Sequence, residues 1–509
     1  MAKTTQELDR SKKLLEKTNR ELEFYKNIEE DSGNLNVDDK SKERREQLDQ
    51  AVRKAKESVS SLPNVELSSS SKIEKGDSAS LDSEQALACK EMESSSENFF
   101  ITGKAGTGKS FLLDVFRTIT DKNHIVLAPT GIAALNVSGT TLHSTFGYYN
   151  LVNLNLEDIS DGTIKLKSEK RLILRNVSTI IIDEISMVRA DTFDKIDRIL
   201  KVINHNNLPF GGKQILLFGD LFQLPPVTKA KEYEYLVDKY GGIYFFCSNA
   251  YKAGNFRFFE LTINHRQKDD AEYFSLLNRI RDGSTTQEDI DVLNSRVVLD
   301  ESVFDRFTTL LPTKAEVERL NQYHIDQLDS AEFTYKAKVV LNKRTSQNDN
   351  VESVFPIASV LRLKKGTLVM MVANDPDHRW VNGTLGIVSS LSNNTISVAI
   401  NKRVYDVPVM DFTEQEIIYK NGRITYEDIF KVIQYPIVPA YAMTIHKSQG
   451  QTYQNIVCDI DSCFANGQAY VALSRCASLN GLHLRQPISG ASILVDRSVL
   501  DFYRESLNS

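Results

Sequence analysis

An eight-residue loop, Gly-Lys-Ala-Gly-Thr-Gly-Lys-Ser, lies between two apolar segments and has the composition of a phosphate-binding loop. The apolar run at 99–101 predicts a buried strand before it, and the periodic pattern from Phe111 predicts a helix after it. Glycines let backbone N–H groups turn inward around phosphate oxygens, and the start of the helix adds positive potential. We expect Lys109 to reach the β- and γ-phosphates of ATP and the Ser110 hydroxyl to hold Mg²⁺. The loop residues expected to contact ATP are Gly103, Lys104, Ala105, Gly106, Thr107, Gly108, Lys109 and Ser110.

Two adjacent acids, Asp183 and Glu184, follow a strongly apolar segment at 178–182. This arrangement is typical of the Walker B strand of nucleotide hydrolases. Asp183 would then hold Mg²⁺ together with Ser110, and Glu184 would orient and deprotonate the attacking water. Gln223 follows another apolar segment, at 213–218, and is placed to sense the γ-phosphate.

A third group of polar residues follows the apolar segment at 124–128. It contains Pro129, Thr130, Thr140 and His143, whose hydroxyl, ring and backbone groups suit contacts to nucleic-acid phosphate and sugar. Phe146 could stack on a base. An ordinary loop with helix-capping threonines explains the same residues equally well.

Gln85 lies in a predicted helix upstream of the phosphate loop. Its amide can both donate and accept, so it could read the adenine edge of ATP. A plain position on the helix surface is the alternative.

The composition sets limits on function. The chain has 509 residues and a net charge of −6, so charge alone does not indicate a nucleic-acid partner. No apolar run approaches the roughly 18 residues of a membrane span, and the N-terminus lacks the apolar segment of a secretory signal. We therefore expect no membrane association and a cytoplasmic location, or a nuclear or mitochondrial one in a eukaryote. The five scattered cysteines indicate reduced thiols rather than a disulfide framework.

Changes in composition along the chain suggest its division into domains. Residues 1–57 are rich in charges of both signs and predict a helical extension that could bind a partner protein or self-associate. Residues 58–80 are rich in serine and predict a flexible linker. Residues 81–260 alternate apolar strands and helices, which predicts a doubly wound parallel sheet with a small insertion at 147–170. A second set of such elements occupies 261–320 and 435–509. The β-rich segment 321–434 between them predicts a small inserted barrel.

Eight motifs standing in this order resemble one known family. They read GKAGTGKS, APTGIAA, TLHSTFG, IIDEIS, GDLFQLPPV, NHRQ, AYAMTIHKSQGQT and GQAYVALSRC. Together they resemble the PIF-one-like family of superfamily-one DNA helicases over residues 81–490. The Dda and RecD-like helicases are relatives, but the VNGTLGIV segment and the unbroken YVALSR run favour the PIF-one-like branch.

The resemblance implies an α/β fold of two RecA-like domains that bind ATP between them, with an SH3-like insertion and a wedge at 147–170. It implies that Arg266 and Arg475 are arginine fingers. It also implies DNA contacts from Thr444, His446, Lys447 and Ser448 on the second domain, and from Pro129, Thr130, Thr140 and His143 on the first. Trp380 in the inserted domain could stack on a base or could lie partly buried there.

The implied activity is ATP-dependent, 5′→3′ translocation on single-stranded DNA with unwinding of forked duplex DNA. The alternative is an ATP-driven translocase that remodels protein–DNA complexes without net unwinding. The expected partners are single-stranded and forked DNA.

Overall fold

The structure is a computed structural model that describes residues 81–265, 270–343, 351–420 and 423–507. The predicted N-terminal extension, the serine-rich linker and Arg266 lie outside the described residues.

The first part of the chain forms a sheet of six parallel strands, in the order β3-β2-β4-β5-β1-β6. The strands are β1 (Phe99–Gly103), β2 (His124–Ala128), β3 (Thr140–Thr141), β4 (Thr179–Ile182), β5 (Gln214–Phe218) and β6 (Arg257–Leu261). The helices around it are α1 (Ser83–Ser94), α2 (Lys109–Ile119), α3 (Gly131–Asn136), α4 (Leu142–Phe146), α5 (Ser168–Asn176), α6 (Ala190–Asn204), α7 (Ala230–Tyr240) and α8 (Asn249–Ala253).

Alternate residues of the central strands enter two different apolar clusters. Phe100 and Leu217 belong to one cluster, whereas Phe99, Ile101 and Leu216 belong to the other. Because successive side chains of a strand point to opposite faces, the sheet is covered on both sides. This is the doubly wound arrangement that the near-continuous apolar strands predict.

A second parallel sheet has four strands, in the order β18-β7-β19-β20. These are β7 (Thr309–Leu311), β18 (Ala442–Thr444), β19 (Ile456–Cys458) and β20 (Leu482–Leu484). The associated helices are α9 (Ala271–Asp282), α10 (Gln287–Asn294), α11 (Lys314–Asp326), α12 (Gln468–Leu473) and α13 (Arg497–Leu507).

Antiparallel strands occupy the segment between β7 and β18. A five-stranded sheet has the order β14-β13-β12-β11-β17, and β15-β16-β9 and β10-β8 form two smaller sheets. The strands are β8 (Phe333–Lys336), β9 (Lys338–Asn342), β10 (Val360–Leu363), β11 (Leu368–Met371), β12 (Leu385–Leu391), β13 (Ile396–Ile400), β14 (Arg403–Val407), β15 (Met410–Lys420), β16 (Arg423–Gln434) and β17 (Ile437–Pro439). Trp380 is buried in their apolar core, which favours the packing alternative over base stacking. Two parallel sheets with an inserted antiparallel region confirm the predicted α/β fold class.

The segment after α4 has no strand between residues 147 and 167, all of which are described. A single helical turn, Tyr149–Asn153, is followed by bends that return to α5. The buried Asn150 amide closes the loop, because it donates to Phe146 O (2.7 Å) and accepts from Lys165 N (2.9 Å). The insertion is therefore a helical turn followed by a loop and not a strand hairpin.

Substitutions of Phe146 and of Tyr148 should affect the stability of the protein to different extents. Phe146 has no exposed surface, whereas Tyr148 is 63% exposed. We expect Phe146→Ala to lower the free energy of unfolding by about 3–5 kcal/mol, because it leaves a cavity in the core. Tyr148→Ala should stay close to wild type. Urea unfolding of both variants checks this, and equal stability of the two would contradict the assignment of Phe146 to the core.

Candidate functional site

The phosphate loop joins β1 to α2 and depends on glycine at both of its ends. Gly103 and Gly108 have positive φ angles of 152° and 78°. A Cβ atom at Gly103 would lie 2.5 Å from Leu261 O, and one at Gly108 would lie 2.4 Å from Gln85 Nε2. Any side chain at either position would collide with Leu261 or Gln85. The loop is therefore tightly packed against neighbouring elements.

The Lys109 ammonium lies inside the curl of this loop. Its Nζ donates to Gly103 O (2.6 Å) and to Lys104 O (3.1 Å). Burial lowers the pKa of Lys109, and the charges of Asp220 and Glu184 partly offset this effect. The loop's own carbonyl groups thus orient the ammonium.

The predicted acid pair lies at the carboxyl end of β4. Glu184 has a left-handed backbone conformation with φ of 49°, which is uncommon for a residue other than glycine. Burial, reinforced by the neighbouring Glu184 charge, raises the pKa of Asp183 to about 7. Burial also raises the pKa of Glu184, while Lys109 and Arg475 oppose the shift. Backbone strain and perturbed carboxyl groups together are typical of functional sites.

The donor set at this edge fits a magnesium ion. Ser110 and Asp183 line the same groove and offer one hydroxyl and one carboxylate. Mg²⁺ prefers oxygen ligands and takes part of its shell from substrate phosphates and water. Within the described residues no group of three or more His, Cys, Asp or Glu side chains is close enough to hold a metal unaided. A cation here would therefore depend on phosphate oxygens for the rest of its ligands.

Gln223 lies at the same edge and is held by a buried ion pair that sequence reasoning missed. Its Nε2 donates to Asp220 Oδ2 (3.3 Å). The Arg281 guanidinium from α9 contacts Asp220 Oδ1 at 3.1 Å, and both side chains are buried. The guanidinium also lies over the Phe222 ring, 4.0 Å from its centroid. The signal in the sequence is an arginine directly after Ile280 on the apolar face of α9, where a buried charge needs a partner.

Arg475 forms the opposite wall of the nucleotide cleft. It is 2% exposed, and burial lowers its pKa. Its Nε donates to Val471 O (2.9 Å), and Nη1 lies 3.5 Å from Ser448 O and 3.4 Å from Gln451 O. A cleft of about 330 Å³ brings Arg475 together with the phosphate loop and the acid edge. Its lining residues include Lys109, Ser110, Glu184, Gln223, His265, Gly450 and Arg475.

Gln85 is buried, so the helix-surface alternative is wrong. Its Nε2 donates to Thr107 O (3.2 Å), and its Oε1 accepts from Asp82 N (3.3 Å) in a capping box. Asp82 in turn contacts His265 Nε2 at 2.7 Å. His265, which the sequence reasoning did not single out, therefore reaches the cleft beside Gln85.

The predicted DNA-contact residues differ in accessibility. A groove of about 520 Å³ is lined by Thr444 and Lys447 on one side and by α3 residues such as Ile132 and Ala133 on the other. Lys447 is exposed, and Thr444 and His446 are partly exposed. Burial lowers the pKa of His446. Thr444 and Lys447 thus share one groove with α3, as a nucleic-acid path would require.

Three residues that were predicted to contact DNA have side chains that are buried inside the protein. Phe146 is fully buried in the core, so its ring has no open face for a base. Thr140 bonds Thr145 (3.0 Å between hydroxyl oxygens), and the Ser448 hydroxyl donates to Ile445 O (2.7 Å). Both hydroxyls are buried, which leaves only backbone groups at these positions for a ligand.

On the first sheet the ordinary-loop alternative accounts for one threonine. The Thr130 hydroxyl accepts from Ala133 N (3.2 Å) and caps α3 directly after Pro129. The partly exposed ring of His143 lies 5.5 Å from that of the exposed Tyr148, and burial lowers the pKa of His143. Tyr148 is therefore an accessible aromatic side chain beside His143. Arg266 lies outside the described residues.

None of the helices in the described ranges is both long and apolar enough to cross a membrane.

The chain is similar in sequence and in structure to known proteins. A sequence profile of the family described as PIF1-like helicase matches residues 80–291. The ATP-dependent DNA helicase Pif1 of Bdellovibrio bacteriovorus is 35% identical, over 84% of this chain and 92% of its own length. A crystal structure of Bacteroides sp Pif1 in complex with ADP-AlF4 superposes with a TM-score of 0.75 at 35% identity, covering 84% of this chain and 97% of that one. Bacteroides Pif1 bound to ssDNA superposes with a TM-score of 0.59 at 34% identity, covering 83% and 96%. By its sequence and by its overall structure, the chain belongs to the PIF1-like helicase family.

Proposed function

We propose that this chain is an ATP-dependent DNA helicase that moves 5′→3′ along single-stranded DNA and separates duplex strands at a fork. One observation carries the proposal: a single cleft is lined by Lys109, Ser110 and Glu184 from the first sheet and by Arg475 from the second. Family membership and the ssDNA complex of the Bacteroides relative support DNA as the substrate. The direction of movement comes from the family resemblance.

In this proposal the phosphate loop binds the triphosphate. Lys109 exchanges its bonds to the Gly103 and Lys104 carbonyl groups for the β- and γ-phosphate oxygens. Ser110 and Asp183 would hold Mg²⁺, which would neutralise developing charge on the phosphates. Glu184, whose pKa is raised by burial, orients the attacking water and accepts its proton.

Gln223 and Arg475 are assigned the sensing of the γ-phosphate. Gln223 is anchored through Asp220, so its amide has a defined position near the transferred group. Arg475 stabilises the charge that spreads over the γ-phosphoryl oxygens in the transition state. Arg266 is proposed as a second finger on the basis of its motif. Gln85 is assigned to the adenine side of the cleft.

DNA is proposed to run through the groove that adjoins the nucleotide cleft. Thr444, His446 and Lys447 would contact the backbone from the second sheet, and Ser448 would do so only through its peptide group. Pro129, Thr130 and His143 would contact the DNA from the first sheet, and Thr140 would do so only through its backbone groups. Ser110, Asp183 and Glu184 also line this groove. A movement of the DNA-contacting residues would therefore alter the surroundings of the bound nucleotide.

The corresponding domains are residues 81–260 for the first RecA-like domain, with the wedge at 147–170, and residues 261–320 and 435–509 for the second. Residues 321–434 form the SH3-like insertion, and residues 1–57 are assigned to a partner or to self-association. Closing and opening of the two RecA-like domains would move one DNA grip past the other by about one nucleotide per ATP. A step of this size is energetically reasonable, because opening duplex DNA costs on average about 1.4 kcal/mol per base-pair step.

The proposal is tested with paired duplexes that carry either a 5′ or a 3′ single-stranded tail. We expect ATP-dependent unwinding of the 5′-tailed duplex only. Lys109→Ala should abolish both ATP hydrolysis and unwinding, because the triphosphate loses its main cationic contact, whereas Lys90→Ala on the exposed face of α1 should behave as wild type.

Unwinding by Lys109→Ala at the wild-type rate would overturn the assignment of the motor site. Unwinding of the 3′-tailed duplex alone would overturn the direction. Displacement of a bound protein without any strand separation would favour the remodelling translocase instead.

Removal of the Arg475 guanidinium should separate nucleotide binding from hydrolysis. We expect Arg475→Ala to bind ATP but to lose about 10³-fold or more in DNA-stimulated kcat, the range known for arginine fingers. Because Arg475 is buried, Arg475→Lys serves as a second variant that keeps the positive charge. Both are measured by equilibrium nucleotide binding and steady-state hydrolysis. A wild-type kcat in both variants would contradict the role.

A further inference from the structure

The phosphate loop is held from outside by residues that lie far along the chain. The Ala105 N–H donates to Tyr470 Oη at 3.0 Å, and the Ala105 carbonyl accepts from Asn264 Nδ2 at 2.9 Å. The next carbonyl, that of Gly106, accepts from His265 N at 2.9 Å. The N–H and C=O groups of Ala105 and the C=O group of Gly106 therefore all bond to residues that follow the last strand of the first sheet.

The bond between Tyr470 and Ala105 lies in a dry environment. Tyr470 is 3% exposed and Ala105 is 7% exposed. Burial raises the pKa of Tyr470 far above its ordinary value, so the hydroxyl stays neutral and can accept from the amide. A buried N–H that loses its acceptor pays the full cost of its lost hydration. Among arrangements in which both groups remain buried, the contact therefore favours those in which the amide and the hydroxyl are paired.

Tyr470 and Arg475 belong to one short rigid unit. Tyr470 lies in α12 (Gln468–Leu473), and Arg475 follows two residues after its end. The Arg475 Nε donates to Val471 O (2.9 Å), which ties the guanidinium back to the same helix. The position of α12 relative to the phosphate loop thus fixes how far the Arg475 guanidinium extends into the cleft.

We propose that the Tyr470 hydroxyl is a positioning group that couples the phosphate loop to the placement of Arg475. This inference rests on the proposed function. The bond between the Ala105 amide and the Tyr470 hydroxyl is formed in this structure, and it sets α12 at the depth from which Arg475 reaches the γ-phosphate when the two sheets close on ATP. When they separate, the amide and hydroxyl are rehydrated and Arg475 withdraws with the helix.

Tyr470→Phe tests the coupling, since it removes one oxygen atom and keeps the ring. We expect the DNA-stimulated kcat for ATP hydrolysis to fall roughly tenfold, the size of effect that follows when one buried N–H is left unpaired. The dissociation constant for single-stranded DNA without nucleotide should remain at the wild-type value.

Tyr273→Phe is the matched control. Tyr273 has no exposed surface, and its hydroxyl donates to Leu473 O (2.7 Å) at the other end of α12, within the second part of the chain. Tyr273 lies in α9, so Tyr273→Phe likewise removes one buried hydroxyl that contacts α12 or belongs to it, but it removes no contact to the phosphate loop. We expect its thermal stability to fall while its DNA-stimulated kcat stays within twofold of wild type.

A double variant shows whether Tyr470 acts through Arg475. Because a positioning group has nothing left to position when the guanidinium is gone, Tyr470→Phe combined with Arg475→Ala should lose no more kcat than Arg475→Ala alone. A purely structural role would instead make the two losses multiply.

The coupling is overturned by a Tyr470→Phe kcat within twofold of wild type, by equal kcat losses in Tyr470→Phe and Tyr273→Phe, or by multiplicative losses in the double variant. A wild-type protein without DNA-stimulated hydrolysis would overturn the proposed function itself, which is a different result from any of these.

Discussion

Opposite charges withdrawn from water where the two parallel sheets meet are the interaction on which the rest of this structure depends. Three carboxylates and three cations influence one another there: Asp183, Glu184, Asp220, Lys109, Arg281 and Arg475. Removing one member of such a set leaves an uncompensated charge, which costs far more than losing a surface ion pair. The folded chain accordingly pairs Arg281 directly with Asp220, and it holds Lys109 and Arg475 through backbone carbonyl groups close to the acids.

The parallel topology brings these charges together. In an open parallel sheet the carboxyl ends of the strands lie along one edge, and the strand-to-helix loops supply the ligands. The loop after β1 supplies Lys109, the end of β4 supplies the acid pair, and the end of β5 supplies Asp220. The second sheet contributes Arg475 from the segment after α12. Because residues of both sheets line this cleft, a ligand bound there would contact both sheets at once, which is how the proposed motor would turn hydrolysis into movement.

Local sequence patterns predicted much of this site. The phosphate loop and the acid pair are short motifs between apolar strands, so their positions follow from the chain itself. The Arg281–Asp220 pair could not be read in the same way, because its two residues are 61 positions apart and only the folded chain brings them together. Its only signal is a charged residue on the apolar face of α9.

Side-chain orientation set the limit of the nucleic-acid predictions. Phe146, Thr140 and Ser448 belong to the motifs from which DNA contacts were predicted, yet each of these residues is buried. A short helix such as α4 buries one face, and its period assigns Phe146 to the core only when the position of the neighbouring sheet is known. The long hairpin of β15 and β16 was likewise not predicted, because its strands mix charged and apolar residues without a clear alternation.

The central claim is that one nucleotide is held by both sheets. The most direct measurement is a structure of the protein with ADP, aluminium fluoride and Mg²⁺ bound in the cleft. The account predicts that Lys109 and the Arg475 guanidinium both lie within hydrogen-bonding distance of the fluoride group, with Ala105 N still bonded to Tyr470 Oη. A complex in which Arg475 keeps its bonds to the Ser448 and Gln451 carbonyl groups, out of reach of the fluoride, would contradict it.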